Sequence, residues 1–174
     1  MSPLISTPQS LTWIASQDGA VWTGDLSNLR DEIVRWKANG ETLVFTNGCF
    51  DLLHAGHLKL LHESVCLGDR LIVAVNSDSS VRGLKGDSRP IQSQEVRCAL
   101  LAEFRCVDAV VCFDGPDPGW LVEILRPDVM VKGADYRGRR VAGSEFCNRL
   151  HYVELLGGNS TSAIIARTET RQPM

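Results

Sequence analysis

Apolar residues recur along this chain with two periods, one helical and one of short continuous runs. From Asp25 to Ala38, Leu26, Leu29, Ile33, Val34 and Trp36 fall at helical spacing, and Gly40 supplies a stop. An apolar run at about Thr42 to Thr46 predicts a first strand, and a tight polar turn leads into a helix running to about Cys66, closed by Leu67-Gly68. Asp69 to Asn76 is continuously apolar between polar ends, the pattern of a strand covered on both faces of a parallel sheet. Gln92 to Phe104 predicts a helix through Val96, Leu100 and Leu101, and Val107 to Phe113 a third strand. Asp117 to Leu125 reads as a short helix, Val129 to Lys132 as a fourth strand, Tyr152 to Leu156 as a fifth, and Thr161 to Arg167 as a terminal helix.

Strands alternating with helices predict a doubly wound, Rossmann-like α/β fold. It has one domain, a five-stranded parallel sheet, helices on both faces and right-handed crossovers. The domain is expected over residues 25–167. Residues 1–24, apolar at Leu11–Ile14 and Ala20–Trp22, read as an arm packed on the domain or on a second subunit, and 168–174 as a tail. No repeat or low-complexity tract interrupts this plan.

Composition narrows the partners. With 174 residues, 44% hydrophobic and 22% charged, the chain can bury a core as one globular domain. A net charge of −3, without a long basic block, argues against nucleic acid or a membrane surface as partner. No apolar run reaches bilayer length, and the N-terminus lacks the order of a secretion signal, so a cytoplasmic location is expected. The six cysteines form no CxxC pair and are expected to be reduced and mostly buried, which argues against zinc.

The chemistry collects where strands end. Strand one is followed by Asn47-Gly48-Cys49-Phe50-Asp51-Leu52-Leu53-His54-Ala55-Gly56-His57, a strand-to-helix turn. Two imidazoles flanking a glycine at a helix start, beside unpaired N–H groups, suit a polyphosphate. Strand two delivers Asn76-Ser77-Asp78 and then a glycine-punctuated basic loop, Arg82 to Pro90. Strand four delivers Lys132-Gly133-Ala134-Asp135-Tyr136, and strand five Gly157 to Ser162, which opens a helix. No GxGxxG follows strand one, which argues against a dinucleotide-dependent oxidoreductase. A regulatory nucleotide-binding module without turnover is the rival of another class.

The His-x-Gly-His turn resembles the signature of the cytidylyltransferase and adenylyltransferase superfamily. The fuller string from Phe45 to His57, with Lys85-Gly-Asp-Ser-Arg-Pro90, Lys132 to Tyr136 and Ala142-Gly143-Ser144, is similar to the heptose-phosphate adenylyltransferases. That resemblance implies transfer of AMP from ATP to a heptose 1-phosphate with release of pyrophosphate, for surface polysaccharide. The alternative is a glycerol-3-phosphate-type cytidylyltransferase using CTP.

It makes His54, His57, Lys85 and Arg89 the catalytic candidates. Asn47, Gly48, Cys49, Phe50, Gly56, Lys132, Asp135, Ser160, Thr161 and Ser162 become candidates for the nucleotide. Asp51, Asn76 and Tyr136 become candidates for the acceptor, with Asp51 equally able to cap the helix or face a metal. Mg²⁺ is expected, held mainly by the nucleotide phosphates and water rather than by a protein cage. The resemblance further implies a homodimer, and a separate sugar kinase to supply the 1-phosphate.

Overall fold

The computed structural model describes residues 11–16, 19–23, 26–154, 161, 164 and 165. Its strands are β1 (Leu11–Ser16), β2 (Gly19–Thr23), β3 (Leu43–Gly48), β4 (Arg70–Asn76), β5 (Ala109–Phe113), β6 (Val129–Gly133) and β7 (Arg149–Val153). They form one sheet in the order β2-β1-β5-β4-β3-β6-β7. The five from β5 to β7 are mutually parallel, as the sequence predicts. The segment read as an arm adds an antiparallel hairpin instead: β1 pairs with β5 and β2 with β1.

Successive side chains of the parallel strands feed opposite cores, as period-two geometry requires. Leu43, Phe45, Ile72, Ala74, Val111 and Met130 pack with helices α1 (Leu26–Ala38) and α5 (Gly119–Leu125). Val44, Leu71, Val73, Val110, Val129 and Val131 pack with α2 (Ala55–Val65) and α4 (Gln94–Ala102). Each such aliphatic residue contributes roughly 1.5–3 kcal/mol by leaving water.

Three aspartates fix where the strands begin. Asp69, Asp108 and Asp128 each accept a hydrogen bond from a backbone N–H at the start of a neighbouring strand, at Thr42, Leu71 and Leu43, all at 2.8 Å. One carboxylate before each of β4, β5 and β6 therefore caps the amino edge of the sheet and sets its register. The opposite, carboxyl edge is left open. Strand order reverses between β3 and β6, the place where open α/β sheets form a ligand crevice.

Several elements differ from the sequence reading. Arg82 to Lys85 do not belong to a loop but to the end of a helix, α3 (Asp78–Lys85), capped by Ser77, whose side chain accepts from the Ser80 N–H. Only Val81 and Leu84 of its eight residues carry apolar side chains, so hydrophobicity does not mark it as a helix. The helix α4 exists as expected, but Val96 and Leu100 point outward while Arg97, Cys98, Leu101 and Ala102 are buried. Val34 on α1 is likewise outward, at 67% exposure.

The last strand begins at Arg149 rather than Tyr152 and ends at Val153. It is an edge strand whose first residues are solvated, so hydrophobicity does not mark it; Leu155 and Leu156 lie outside the described residues. All six cysteines are free, but only Cys98 and Cys112 are buried, because the others sit at helix ends and turns. The expected terminal helix is described only at Thr161, Ile164 and Ile165. No helix among the described residues is long and apolar enough to cross a membrane.

Candidate active site

The turn after β3 is held in a conformation that a chain adopts only under constraint. Phe50 has φ of +47°, the left-handed region that bulky side chains avoid. Its ring lies over Gly48, where an added Cβ would stand 3.2 Å from the Phe50 Cε2 atom, and reaches the His57 ring at 4.9 Å between centroids. Gly48 thus leaves room for the aromatic ring that backs the second histidine.

His54 is the N-cap of α2. Its Nδ1 accepts from the N–H groups of Gly56 at 3.1 Å and His57 at 3.4 Å. An accepting Nδ1 carries no proton, so the neutral ring bears its proton on Nε2 and presents a donor away from the helix. The two imidazoles stack 3.8 Å apart, 20° from parallel. Burial lowers the His54 pKa, with Lys85 adding to the effect. Burial, then the neighbouring His54 and Lys85, pull His57 down to about 4. At neutral pH both rings are uncharged hydrogen-bond groups waiting beside a helix N-terminus.

These residues border a cleft of about 860 Å³ along the carboxyl edge. Its lining residues fall into two groups, or lobes, one on each face of the sheet. On the α2 face the lining includes His54, Gly56, His57, Leu60, Lys85 and Thr161. Thr161 donates its hydroxyl to the Leu52 carbonyl at 3.4 Å; Ser160 and Ser162 lie outside the described residues. Lys85 enters from the last turn of α3.

On the α1/α5 face, period two carries the positions of Phe45, Ala74 and Met130 onward to Asn47, Asn76 and Lys132. Asn47 Oδ1 is buried without a hydrogen-bond partner. Asn76 donates to Ser80 Oγ at 2.9 Å, and its Oδ1 lies 3.9 Å from the Cys49 thiol. Lys132 is only 6% exposed, and its Nζ sits 4.4 Å from the centre of the Tyr136 ring. Burial lowers its pKa to about 8, against the attraction of Asp135 and Cys49. Asp117, Arg140, Glu145 and Phe146 complete this lobe.

Two expected site residues are not in the cleft lining. Asp51 is 1% exposed and accepts from the N–H groups of Ile91 at 2.7 Å and Gln92 at 3.1 Å. Arg89 pairs with the same carboxylate at 2.7 Å. Together they anchor the loop after α3 beneath the histidine turn.

A further residue escaped the sequence reading. Arg97, with no solvent exposure, donates to the carbonyls of Cys49, Asn76 (2.8 Å) and Gln92 (3.1 Å) and to Asp78 Oδ1 (2.7 Å). One guanidinium therefore ties together the ends of β3 and β4 and the start of α3. The signal was an arginine in the buried phase of α4, obscured by counting the outward Val96 and Leu100 as apolar. For the second lobe, the available signals were the Asp-Gly-Pro-Asp-Pro turn before α5 and the Arg-Gly-Arg-Arg run after Tyr136.

A family model described as cytidylyltransferase-like matches residues 45–166. A bifunctional protein HldE of Azorhizobium caulinodans is 48% identical over 142 residues, covering 79% of this chain and 30% of that protein. One from Helicobacter pylori is 52% identical over 127 residues, covering 73% and 28%. The chain thus spans under a third of the length of these relatives. A solved structure of a lipopolysaccharide core biosynthesis protein from Thermoplasma volcanium superposes with a TM-score of 0.52 at 28% identity, covering 67% of this chain and 100% of that one.

Proposed function

The chain belongs to the cytidylyltransferase-like family, and on that premise we propose that it transfers AMP from ATP to D-glycero-β-D-manno-heptose 1-phosphate, releasing pyrophosphate. The observation that carries the reading is the stacked, uncharged His54–His57 pair at the start of α2, with Lys85 facing it across one lobe. The choice of ATP and heptose rests on the motif strings around His54, Lys85, Lys132 and Ala142 and on the names of the relatives.

In this reaction an oxygen of the acceptor phosphate attacks the α-phosphorus of ATP. The bond to the bridging oxygen breaks, and pyrophosphate leaves with the electron pair. The attacking oxygen is already anionic, so no strong base is required; the work is alignment and charge. The His54 Nε2–H and His57 donate to the triphosphate, and Lys85 neutralises the charge that builds on the leaving pyrophosphate. Uncharged imidazoles suit this role because they add hydrogen bonds without repelling Lys85. Asp51, Arg89 and Arg97 hold the surrounding turns in place.

Mg²⁺ fits as an ion carried in by the phosphates. Among the described residues no three His, Cys, Asp or Glu side chains converge on one point, a donor set suited to an ion ligated chiefly by phosphate oxygens and water. When bound, it neutralises the triphosphate. The acceptor requires prior phosphorylation at its anomeric oxygen, so a sugar kinase precedes this step. We place the enzyme in the cytoplasm as a homodimer, where its six free thiols stay reduced.

The test is pyrophosphate release with Mg²⁺, pairing ATP or CTP with heptose 1-phosphate or glycerol 3-phosphate. Release confined to ATP and heptose 1-phosphate supports the proposal. Release with CTP and glycerol 3-phosphate moves the chain to the cytidylyltransferase branch.

A further inference from the structure

The two lobes of the cleft differ in charge. The lobe on the α2 face offers imidazoles, an ammonium and a hydroxyl, and no carboxylate lines it among the described residues. The lobe on the α1/α5 face is lined by three carboxylates, Asp117, Asp135 and Glu145, the last 3.9 Å from the exposed Arg140 guanidinium, together with the Asn47 amide and the rings of Tyr136 and Phe146. A triphosphate is repelled by three carboxylates, so it belongs with the histidines. Carboxylates and amides are the usual partners of sugar hydroxyls, and aromatic faces cover the apolar side of a sugar ring.

One charge at the floor of that second lobe is unmatched. The Lys132 ammonium is almost fully buried and lies against the Tyr136 ring. Among the described residues it forms no ion pair or hydrogen bond, although Asp135 is near enough to attract it. Buried cations are ordinarily paired, and one left without an ion pair in a cleft is completed by an anionic ligand. The lobe therefore combines one buried cation at its floor with acceptors for hydroxyl groups and the exposed Arg140–Glu145 pair at its walls. That is the complement of a polyhydroxylated ring carrying a single phosphate.

Building on the nucleotidyl-transfer reading, we infer that the lobe on the α1/α5 face is the acceptor subsite and that Lys132 binds the phosphate of the incoming sugar, not the nucleotide. The register supports it: Lys132 directly follows Val131, the last β6 residue paired with β3, whose end bears the histidine turn. A phosphate held there sits across the strand ends from the triphosphate, on the side from which its oxygen can approach the α-phosphorus. Asp117, Asp135 and Glu145 then select for hydroxyls and against a second phosphorylated group.

The experiment measures binding directly by calorimetry, so that it does not depend on turnover. Wild type and Lys132→Met are titrated with a non-hydrolysable ATP analogue, and then, with the analogue bound, with heptose 1-phosphate and with unphosphorylated heptose. The expected result is a loss of sugar-phosphate affinity of about tenfold or more in Lys132→Met, corresponding to one charge-assisted contact. Analogue affinity should stay within about twofold, and the variant should no longer distinguish phosphorylated from unphosphorylated sugar. Glu145→Gln, at an exposed wall position, serves as a second variant and should weaken both sugars alike while sparing the analogue.

Equal or greater loss of analogue affinity in Lys132→Met overturns the assignment, as does unchanged sugar-phosphate affinity. A wild type that binds both ligands with this pattern yet releases no pyrophosphate supports the subsite and overturns only the proposed reaction.

Discussion

Arg97 reaches Asp78 at 2.7 Å from a position with no solvent exposure, and the same guanidinium spans to the backbone of Cys49 and Asn76. Removing it leaves carbonyls at two strand ends and one carboxylate without their donor. Arg97→Met should cost roughly 3 kcal/mol of unfolding free energy in urea, and should reduce pyrophosphate release even under conditions where the variant is fully folded. A variant of wild-type stability and activity would remove Arg97 from the architecture of the site.

His54 has two separable tasks, capping α2 through Nδ1 and donating through Nε2. Asparagine is a good N-cap but too short to reach the phosphates. His54→Asn should therefore keep stability within about 1 kcal/mol while lowering kcat about 100-fold. His54→Ala should lose both. Denaturation and turnover measured on the same two variants separate the roles.

His57 links stability to pH. Its folded pKa, near 4, lies below the ordinary value of about 6.5. Between those values the unfolded chain takes up a proton that the folded chain declines, so stability falls as pH drops through this window. The loss attributable to His57 should approach about 2 kcal/mol between pH 7 and about 4.5. In His57→Gln that component of the pH dependence should vanish; an unchanged slope would mean that His57 is not held neutral.

Lys85 lines the cleft from the last turn of α3, where its contact strengthens as charge moves to the leaving group. Lys85→Ala should lower kcat by about 100-fold while the acceptor KM changes by less than about threefold. A raised acceptor KM at constant kcat would assign Lys85 to ground-state binding instead.

Much of this was legible in the chain itself. The parallel strands announce themselves because burial on both faces demands continuous apolar runs, and the site turn because His54, Gly56 and His57 must be neighbours in sequence to share one helix start. The misreadings have physical causes. A helix such as α3 has only two apolar side chains, Val81 and Leu84, to mark it, and an edge strand such as β7 is half solvated. Arg97 looks like a surface residue until its carbonyl partners, distant in sequence, are brought to it. The division of the cleft into lobes was not legible at all, because it depends on which face each strand-end residue occupies across four strands. Asp51 and Arg89 flank the motifs in sequence, and only folding shows that they pair with each other.

The antiparallel hairpin has a bearing on how the domain can be handled. β5 consists of Ala109, Val110, Val111, Cys112 and Phe113, all buried and none charged, and β1 runs along the side that would otherwise be an open sheet edge. A chain trimmed to begin at residue 25 would keep every described residue that lines the cleft and yet bare a row of unpaired amides on a greasy strand, a template for edge-to-edge aggregation. The β1–β2 hairpin, none of whose residues lines the cleft, is in this sense the domain's protection against itself.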